Sequence, residues 1–199
     1  MNAGARASDF QCRALSVGDA PALAELFTRA GTDCHCEWWH FEGDKNEWLA
    51  RLFHSPEANR AALLERARSP RPTGVVAIVR TGEVAGWMKL TFASDVPKLY
   101  AQRPYRGLAT LQEHRPQTMT IGCFLVDPAW RRRGVAAALL ATGLELARTA
   151  GASAVEAFPR RAEALRDEEL WTGPYDLFSR HGFEIVHELA QYPVLRRML

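Results

Sequence analysis

Apolar positions along the chain switch between two spacings, and the switches mark an alternation of strands and helices. Phe10 to Leu15 reads as a short strand. After Ser16-Val17-Gly18, the segment from Asp19 to Phe27 carries the signals of a helix start: Asp19 or Ala20 precedes it, Pro21 is tolerated in its first turn, and Gly31 ends it. Two helical patterns follow, roughly Asn46 to His54 and Pro56 to Arg68, with Leu49, Leu52 and Phe53 in the first and Ala62, Leu63 and Ala67 in the second at helical spacing. Strand character begins at Thr73, where Val75, Val76, Ile78 and Val79 are apolar and mostly β-branched. Thr81-Gly82-Glu83 turns the chain, and Val84 to Phe92 returns as the second arm of a hairpin. A polar connection from Ser94 to Gln117 holds Pro97, Pro104 and Pro116; its length predicts a short hidden helix, placed at Val96 to Ala101. A strand (Thr118 to Val126), a turn (Asp127 to Trp130), a helix (Gly134 to Ala150, closed by Gly151) and a strand (Ser153 to Phe158) then form a strand-helix-strand unit. The pattern alone therefore predicts a mixed α/β fold with one such unit.

Composition narrows the class without giving a direction. The chain has 199 residues, with 25 Lys+Arg against 23 Asp+Glu, for a formal charge of +2, and 47% hydrophobic residues. That profile excludes disorder as the main state, and without repeats or a Gly/Ser linker residues 1–199 are expected to form a single domain. The longest stretches free of Asp, Glu, Lys and Arg, Gly134 to Leu144 and Pro116 to Val126, fall far short of the ~20 apolar residues that span a membrane. The opening MNAGARASDF has neither an apolar core nor a small-residue cleavage site, so no secretory signal is read and a cytoplasmic location is expected. Cysteines at 12, 34, 36 and 123 are too irregular for a disulfide framework and are expected to be thiols.

Chemistry concentrates in Arg131-Arg132-Arg133-Gly134-Val135-Ala136, between a buried-looking strand and a helix lined by Val135, Leu139, Leu140 and Leu146. A helix start presents unpaired N–H groups and about half a positive charge, so three arginines there have the wrong sign unless an anion sits among them. With an anion, backbone donors and guanidinium forks converge on the same oxygens. Gly134 removes a side chain where the backbone must approach, and Ala136 keeps the next inward position small. A plain solvated arginine run is the alternative. Neither Gly-x-x-x-x-Gly-Lys-Ser/Thr nor Gly-x-Gly-x-x-Gly after a strand occurs, which removes P-loop and dinucleotide-binding readings.

The run from Cys123 to Leu140, with Arg131, Gly134 and Ala136 as its core, resembles the acyl-CoA signature of the GNAT N-acetyltransferase superfamily, Arg/Gln-x-x-Gly-x-Gly/Ala. The apolar strand before it, the Pro128 turn and the downstream Phe178-Ser179-Arg180-His181-Gly182-Phe183 strengthen the likeness, which runs from about Phe10 to Val186. The resemblance implies a mixed, mostly antiparallel sheet of about six or seven strands flanked by helices on both faces. It implies acetyl-CoA as co-substrate: the backbone of Phe124, Leu125 and Val126 pairs with the pantetheine arm like an added strand. The segment Arg131, Arg132, Arg133, Gly134, Val135, Ala136 and Ala137 then holds the pyrophosphate. Phe178, placed with these CoA contacts, stands where relatives usually carry a tyrosine proton donor, so that donor is missing.

Transfer needs a neutral amine near the thioester carbonyl, a donor for the developing oxyanion and a proton for the leaving thiolate. A backbone N–H near Phe124 or Leu125 is the natural oxyanion donor. Tyr175, about one helical turn before Phe178, is the candidate acid, with a packing aromatic as the alternative. Glu156, on the strand expected to flank the acceptor cleft, is the candidate base; the alternative has Val155 inward and Glu156 outward. Glu37 and His40 are further candidates. Cys34-His35-Cys36-Glu37-Trp38-Trp39-His40-Phe41 is the most distinctive stretch, and the resemblance extends to an uncharacterised subgroup with a Cys-x-Cys aromatic loop. Its spacing does not suit a tetrahedral metal site, so no metal is expected, and Trp38 and Trp39 are expected to wall the acceptor pocket. The expected activity is acetyl-CoA-dependent N-acetyl transfer to a small-molecule or peptide amine in a ternary complex, by a monomer or homodimer without nucleic-acid or membrane partners. A non-catalytic acyl-CoA-binding or sensory module is the alternative. A nucleic-acid-binding reading on Arg131 to Arg133, Arg160 and Arg161 is weak, because these arginines cluster at one helix start.

Overall fold

The computed structural model describes residues 9–112 and 115–199; most of the opening segment read for a secretory signal, residues 1–8, lies outside them. Among the described residues the elements are β1 (Phe10–Ala14), α1 (Ala20–Arg29), α2 (Lys45–His54), α3 (Pro56–Ala67), β2 (Gly74–Val79), β3 (Val84–Phe92), α4 (Pro97–Tyr100), β4 (Thr118–Val126), α5 (Val135–Thr149), β5 (Ala154–Ala157), α6 (Tyr175–Arg180), β6 (Glu184–His187) and β7 (Val194–Met198), with short 3-10 turns between them. The seven strands make one sheet in the order β1-β2-β3-β4-β5-β7-β6. Only β4 and β5 pair in parallel; the other neighbours are antiparallel. The fold is thus α/β, with a mixed, mostly antiparallel sheet and helices on both faces.

The strand-helix-strand unit forms because α5 offers an almost continuous apolar face. Val135, Leu139, Leu140, Leu144 and Ala147 are buried against Val75, Ala77, Met88, Leu90, Met119, Ile121, Val155 and Ala157. The helix lies low on the sheet at Gly86, where a Cβ would come within 2.6 Å of Val135 Cγ1. Burial of this many aliphatic side chains, each worth about 1.5–3 kcal/mol, is the main stabilising term on that face.

Local signals explain most boundaries. Asp44 caps α2, accepting from the N–H groups of Asn46 (2.7 Å) and Glu47 (2.9 Å), while Glu47 Oε2 accepts from the Asp44 N–H (2.7 Å). Asp19 gives α1 no side-chain cap; its carboxylate instead takes Arg13 at 2.5 Å and the Ser16 N–H at 2.9 Å. The stripe predicted for α2 is corrected: Leu49 and Phe53 are 51% and 82% exposed, and the buried residue is Trp48, drawn inward by Trp38 and Phe41. Lys98 of α4 ties this aromatic group to the body, donating to the Phe41 and Gly43 carbonyls at 2.8 and 2.7 Å with its Nζ 3.6 Å above the Trp38 ring.

Candidate active site

Two strands that begin together and then separate create the opening. β4 and β5 pair from Thr118 opposite Ala154 to Ile121 opposite Ala157, after which β4 continues to Val126 paired with β3 only. The β3–β4 register shifts between Lys89 and Leu90, leaving Gly122 as an extra residue at a bulge. Beyond it, the Phe124 N–H faces the opening and donates to the carbonyl of Trp171 at 2.6 Å.

At the far end of this strand the chain turns sharply. Asp127 Oδ1 accepts the Ala129 N–H (2.9 Å), and its Oδ2 takes Arg29 Nε (2.8 Å). These contacts outweigh burial, which on its own raises a carboxyl pKa, and hold Asp127 below its usual range. Arg132 (φ 59°) and Gly134 (φ 82°) are both left-handed, and Gly134 caps α5 with no side-chain hydrogen bond to the helix start. Left-handed residues in such a turn point successive N–H groups to one side, forming an anion-binding concavity. The uncapped N–H groups of α5 extend it.

A cavity of about 850 Å³ joins the two ends. Phe124, Leu125, Val126, Arg131, Arg132, Gly134, Val135, Ala136 and Ala137 line it, so the structure brings together most residues expected to contact CoA. Two expected contacts lie elsewhere. Arg133 reaches over the Trp130 ring (5.3 Å), carried outward by the left-handed turn at Arg132. Phe178 is fully buried, edge-on to Phe124 and Phe183, so it supports β4 from behind rather than facing the cavity. The opposite wall comes from the end of α1, from Cys34, and from Leu165, Asp167, Glu168, Leu170, Trp171 and Pro174. Sequence reading missed this last segment; its one signal is Trp171-Thr172-Gly173-Pro174, where Gly173 is left-handed (φ 94°) and a Cβ would strike Phe178 at 2.6 Å.

On the other side of the opening, Trp39 is buried, donates its indole N–H to the Gly122 carbonyl (3.1 Å), and stacks on Trp171 (6.0 Å, 28°). Trp38 packs between Trp39 and Trp48. Cys34 and Cys123 are free thiols that line the cavity, and the free thiol of Cys36 is buried. Contact with Cys36 and burial keep the Cys34 thiol protonated, and burial does the same for Cys36.

Glu156 is 2% exposed, so the outward reading is corrected: both faces of β5 are covered. Its Oε1 accepts from Arg196 (2.6 Å) and its Oε2 from the Tyr100 hydroxyl (2.7 Å). Burial, then the Glu156 charge, raise the Tyr100 pKa well above its usual value. Tyr175 opens α6 half-buried beneath the Arg161 guanidinium (5.5 Å) and is not among the residues lining the cavity. Glu37 and His40 meet in a second cavity of about 330 Å³, beside Arg51 and Arg66. Glu37 Oε2 holds Arg66 Nε (2.7 Å), and Lys89 Nζ lies 3.7 Å from Oε1. Burial, with Lys89 and Arg66 adding to it, lowers the His40 pKa to about 2, so the imidazole is neutral.

A strand edge exposed by separation from its parallel neighbour, leading into an uncapped helix start with an anion concavity, defines an acyl-CoA-type transferase architecture. The sequence agrees: residues 32–166 match the model of the acetyltransferase (GNAT) family, and the chain belongs to that family. Acetyl-CoA is the co-substrate that goes with it; the Phe124 N–H, which here holds a carbonyl oxygen, and the N–H groups of the anion concavity are donors of the kind its carbonyl and phosphate groups would take. Solved structures share the fold at low identity. PaiA N-acetyltransferase from Thermoplasma acidophilum, in complex with coenzyme A, is 11% identical over 96% of this chain and 99% of its own, with TM-score 0.56. A GCN5-related N-acetyltransferase from Kribbella flavida is 19% identical over 96% and 98% (TM-score 0.56). An agmatine N-acetyltransferase is 16% identical over 96% and 100% (TM-score 0.56). Comparison with curated protein sequences gave no significant match.

Proposed function

We propose that this protein transfers the acetyl group of acetyl-CoA to an amine by direct attack within a ternary complex. The observation that carries this reading is the Phe124 N–H: it faces the strand opening and already holds a carbonyl oxygen at 2.6 Å, at the head of a cavity that ends in an anion concavity. A thioester carbonyl in that seat would have its developing negative charge met by a fixed donor, a contribution of order 10²–10³-fold. Leu125 and Val126 would pair with the pantetheine arm, and the N–H groups of residues 132–137 with the pyrophosphate.

In the proposed reaction the amine nitrogen bonds to the acetyl carbon, the C–S bond breaks, and CoA leaves as a thiolate that takes up one proton while the amine loses one. Glu156 is the proposed base. Because Arg196 and Tyr100 engage both its oxygens, the amine proton would pass to the Tyr100 oxygen as the Tyr100 proton moves to Glu156. Tyr175, next to the cavity-lining Pro174, is the proposed acid. Trp38 and Trp39 are proposed to wall the acceptor, a small-molecule or peptide amine; the relative named for agmatine, itself an amine, supports that class. Residues 1–199 are proposed to act as one cytoplasmic domain, monomeric or homodimeric; among the described residues no helix is long and apolar enough to cross a membrane.

A non-catalytic acyl-CoA-binding module is the second reading, favoured by Phe178 lacking a hydroxyl and by Tyr175 lying off the cavity wall. A thiol-release assay with acetyl-CoA against a broad panel of amines and peptides separates the two. Turnover with any amine supports the enzyme, and tight acetyl-CoA binding without thiol release supports the module. Absence of calorimetric acetyl-CoA binding, together with no effect of Gly134→Asp, would remove both.

A further inference from the structure

The segment between Pro159 and Pro174 enters the acyl-CoA cavity and engages donors at both of its ends. At the anion end, Asp167 Oδ2 lies 3.2 Å from the Arg131 guanidinium. At the strand end, the Trp171 carbonyl takes the Phe124 N–H at 2.6 Å. A carboxylate on the arginine and a carbonyl on the strand donor are the two chemical groups that acyl-CoA would bring to the same places. The root of the segment is anchored by Arg161, whose N–H donates to the Gln191 carbonyl at 2.8 Å and whose guanidinium pairs with Glu188; beyond that the segment is held by Glu169 taking Arg160 at 2.5 Å and the Arg166 N–H at 3.1 Å, and by the Trp171–Trp39 stack. Asp167 and Glu168 also place two negative charges on the wall of a cavity built to take a polyanion.

An N–H has one hydrogen to give. The thioester oxygen and the Trp171 carbonyl therefore cannot both hold Phe124, and a phosphate on Arg131 displaces or repels Asp167. We propose that this segment is a built-in ligand mimic: it occupies the acyl-CoA site of the free protein, and acyl-CoA binds by displacing it, pivoting at Gly173-Pro174. Its withdrawal unstacks Trp171 from Trp39 on the acceptor side. The inference rests on the acetyl-CoA reading above for the identity of the displacing ligand.

The apparent affinity of a site open only part of the time falls by the open fraction, so loosening the mimic should tighten binding. The test uses the full chain, wild type and Asp167→Asn/Glu169→Gln, with calorimetry and stopped-flow tryptophan emission. Two ligands are compared: acetyl-CoA, and S-acetyl-pantetheine, which has no phosphate. Displacement predicts that the variant binds both ligands about three- to tenfold more tightly. It also predicts an emission change that saturates in rate with ligand and is lost in Trp171→Phe. Tighter binding of acetyl-CoA alone would mean simple charge repulsion and would overturn the proposal. So would acetyl-CoA binding with unchanged emission and an unshifted Phe124 amide resonance, which would leave the acetyltransferase reading standing. Failure of acetyl-CoA to bind either protein would remove both. Asp167→Asn alone, at a 42% exposed side chain, repeats the comparison if the double variant does not fold.

Discussion

The two faces of the central sheet differ most along the later halves of β3, β4 and β5; nearer β2 both are apolar, since Val76, Val84 and Trp87 pack against Leu23, Leu26 and Phe27 of α1. The face under α5 is apolar throughout, with Met88, Leu90, Met119, Ile121, Val155 and Ala157 interlocked with the helix. The same strands turn Lys89, Thr91, Thr118, Thr120 and Glu156 to the other face, all 3% exposed or less. Buried charges and hydroxyls on a strand stabilise less than aliphatic side chains and are costly when poorly paired. Thr120 and Glu156 pair one position before β4 and β5 part, and Lys89 lies opposite Cys123 just past that point, with Tyr100 on Glu156 and Glu37 beside Lys89. The difference separates the aliphatic packing that keeps the sheet folded from the buried titratable groups, Glu156 among them, to which the proposed proton transfer is assigned.

Substitutions can break that contrast. The largest effect is expected from Glu156→Ala, which leaves Arg196 uncompensated at 15% exposure and should cost about 3–5 kcal/mol in urea unfolding. Glu156→Gln keeps the volume and should cost less while lowering turnover if the proposed base role holds; an unchanged pH-rate profile counts against it. On the apolar face, Leu139→Ala should cost about 2–5 kcal/mol with kcat per folded molecule unchanged. A lowered kcat at full occupancy would show that the two faces are coupled.

Next comes a pH effect confined to the polar face. Burial holds His40 neutral, with its pKa lowered to about 2, while the unfolded chain takes up that proton near pH 6.5. The unfolded state then binds more protons between those limits, so this group's stability contribution is full above about pH 6.5 and declines as pH falls. The slope is at most about 1.4 kcal/mol per pH unit. His40→Asn should flatten the stability profile between pH 6.5 and 5, while Leu139→Ala should leave its shape intact. The smallest effect is expected at Gly134→Ala, where a side chain at φ 82° costs about 1–2 kcal/mol. Its more telling readout is a raised KM for acetyl-CoA with kcat little changed.

How legible the molecule was from its sequence depended on where the information lay. The β4-turn-α5-β5 unit could be read almost to the residue, because apolar periodicity, Pro128 and Gly151 all act locally; β4 spans Thr118–Val126, as the pattern predicts. The buried side of α2 was not legible. Trp48, Leu49, Leu52 and Phe53 are all apolar, and only packing by Trp38 and Phe41 selects Trp48. β6 and β7 were missed because they are only four and five residues long and are held together as a neighbouring pair that joins the sheet through β7 against the distant β5. In the site, the expected CoA contacts that line the cavity fall within one stretch of sequence, Phe124 to Ala137. The burial of Glu156 by Arg196 and Tyr100, and the entry of Trp171 into the cavity, join residues far apart in sequence and have no local signature.

The strand order also bears on how the protein behaves at high concentration. Any open sheet ends in two rows of backbone donors and acceptors that can recruit a foreign strand, and here those rows belong to β1 and β6. Both are short, five and four residues, and each carries charge, Arg13 in one and Glu184 in the other. The long, valine-rich and aromatic strands that would be the most adhesive lie in the middle, paired on both sides except for the end of β4 past Ile121, which pairs with β3 alone. Edge-to-edge aggregation is therefore guarded against by placement alone: the segments most able to template a fibril are the last to be uncovered when the ends of the sheet fray.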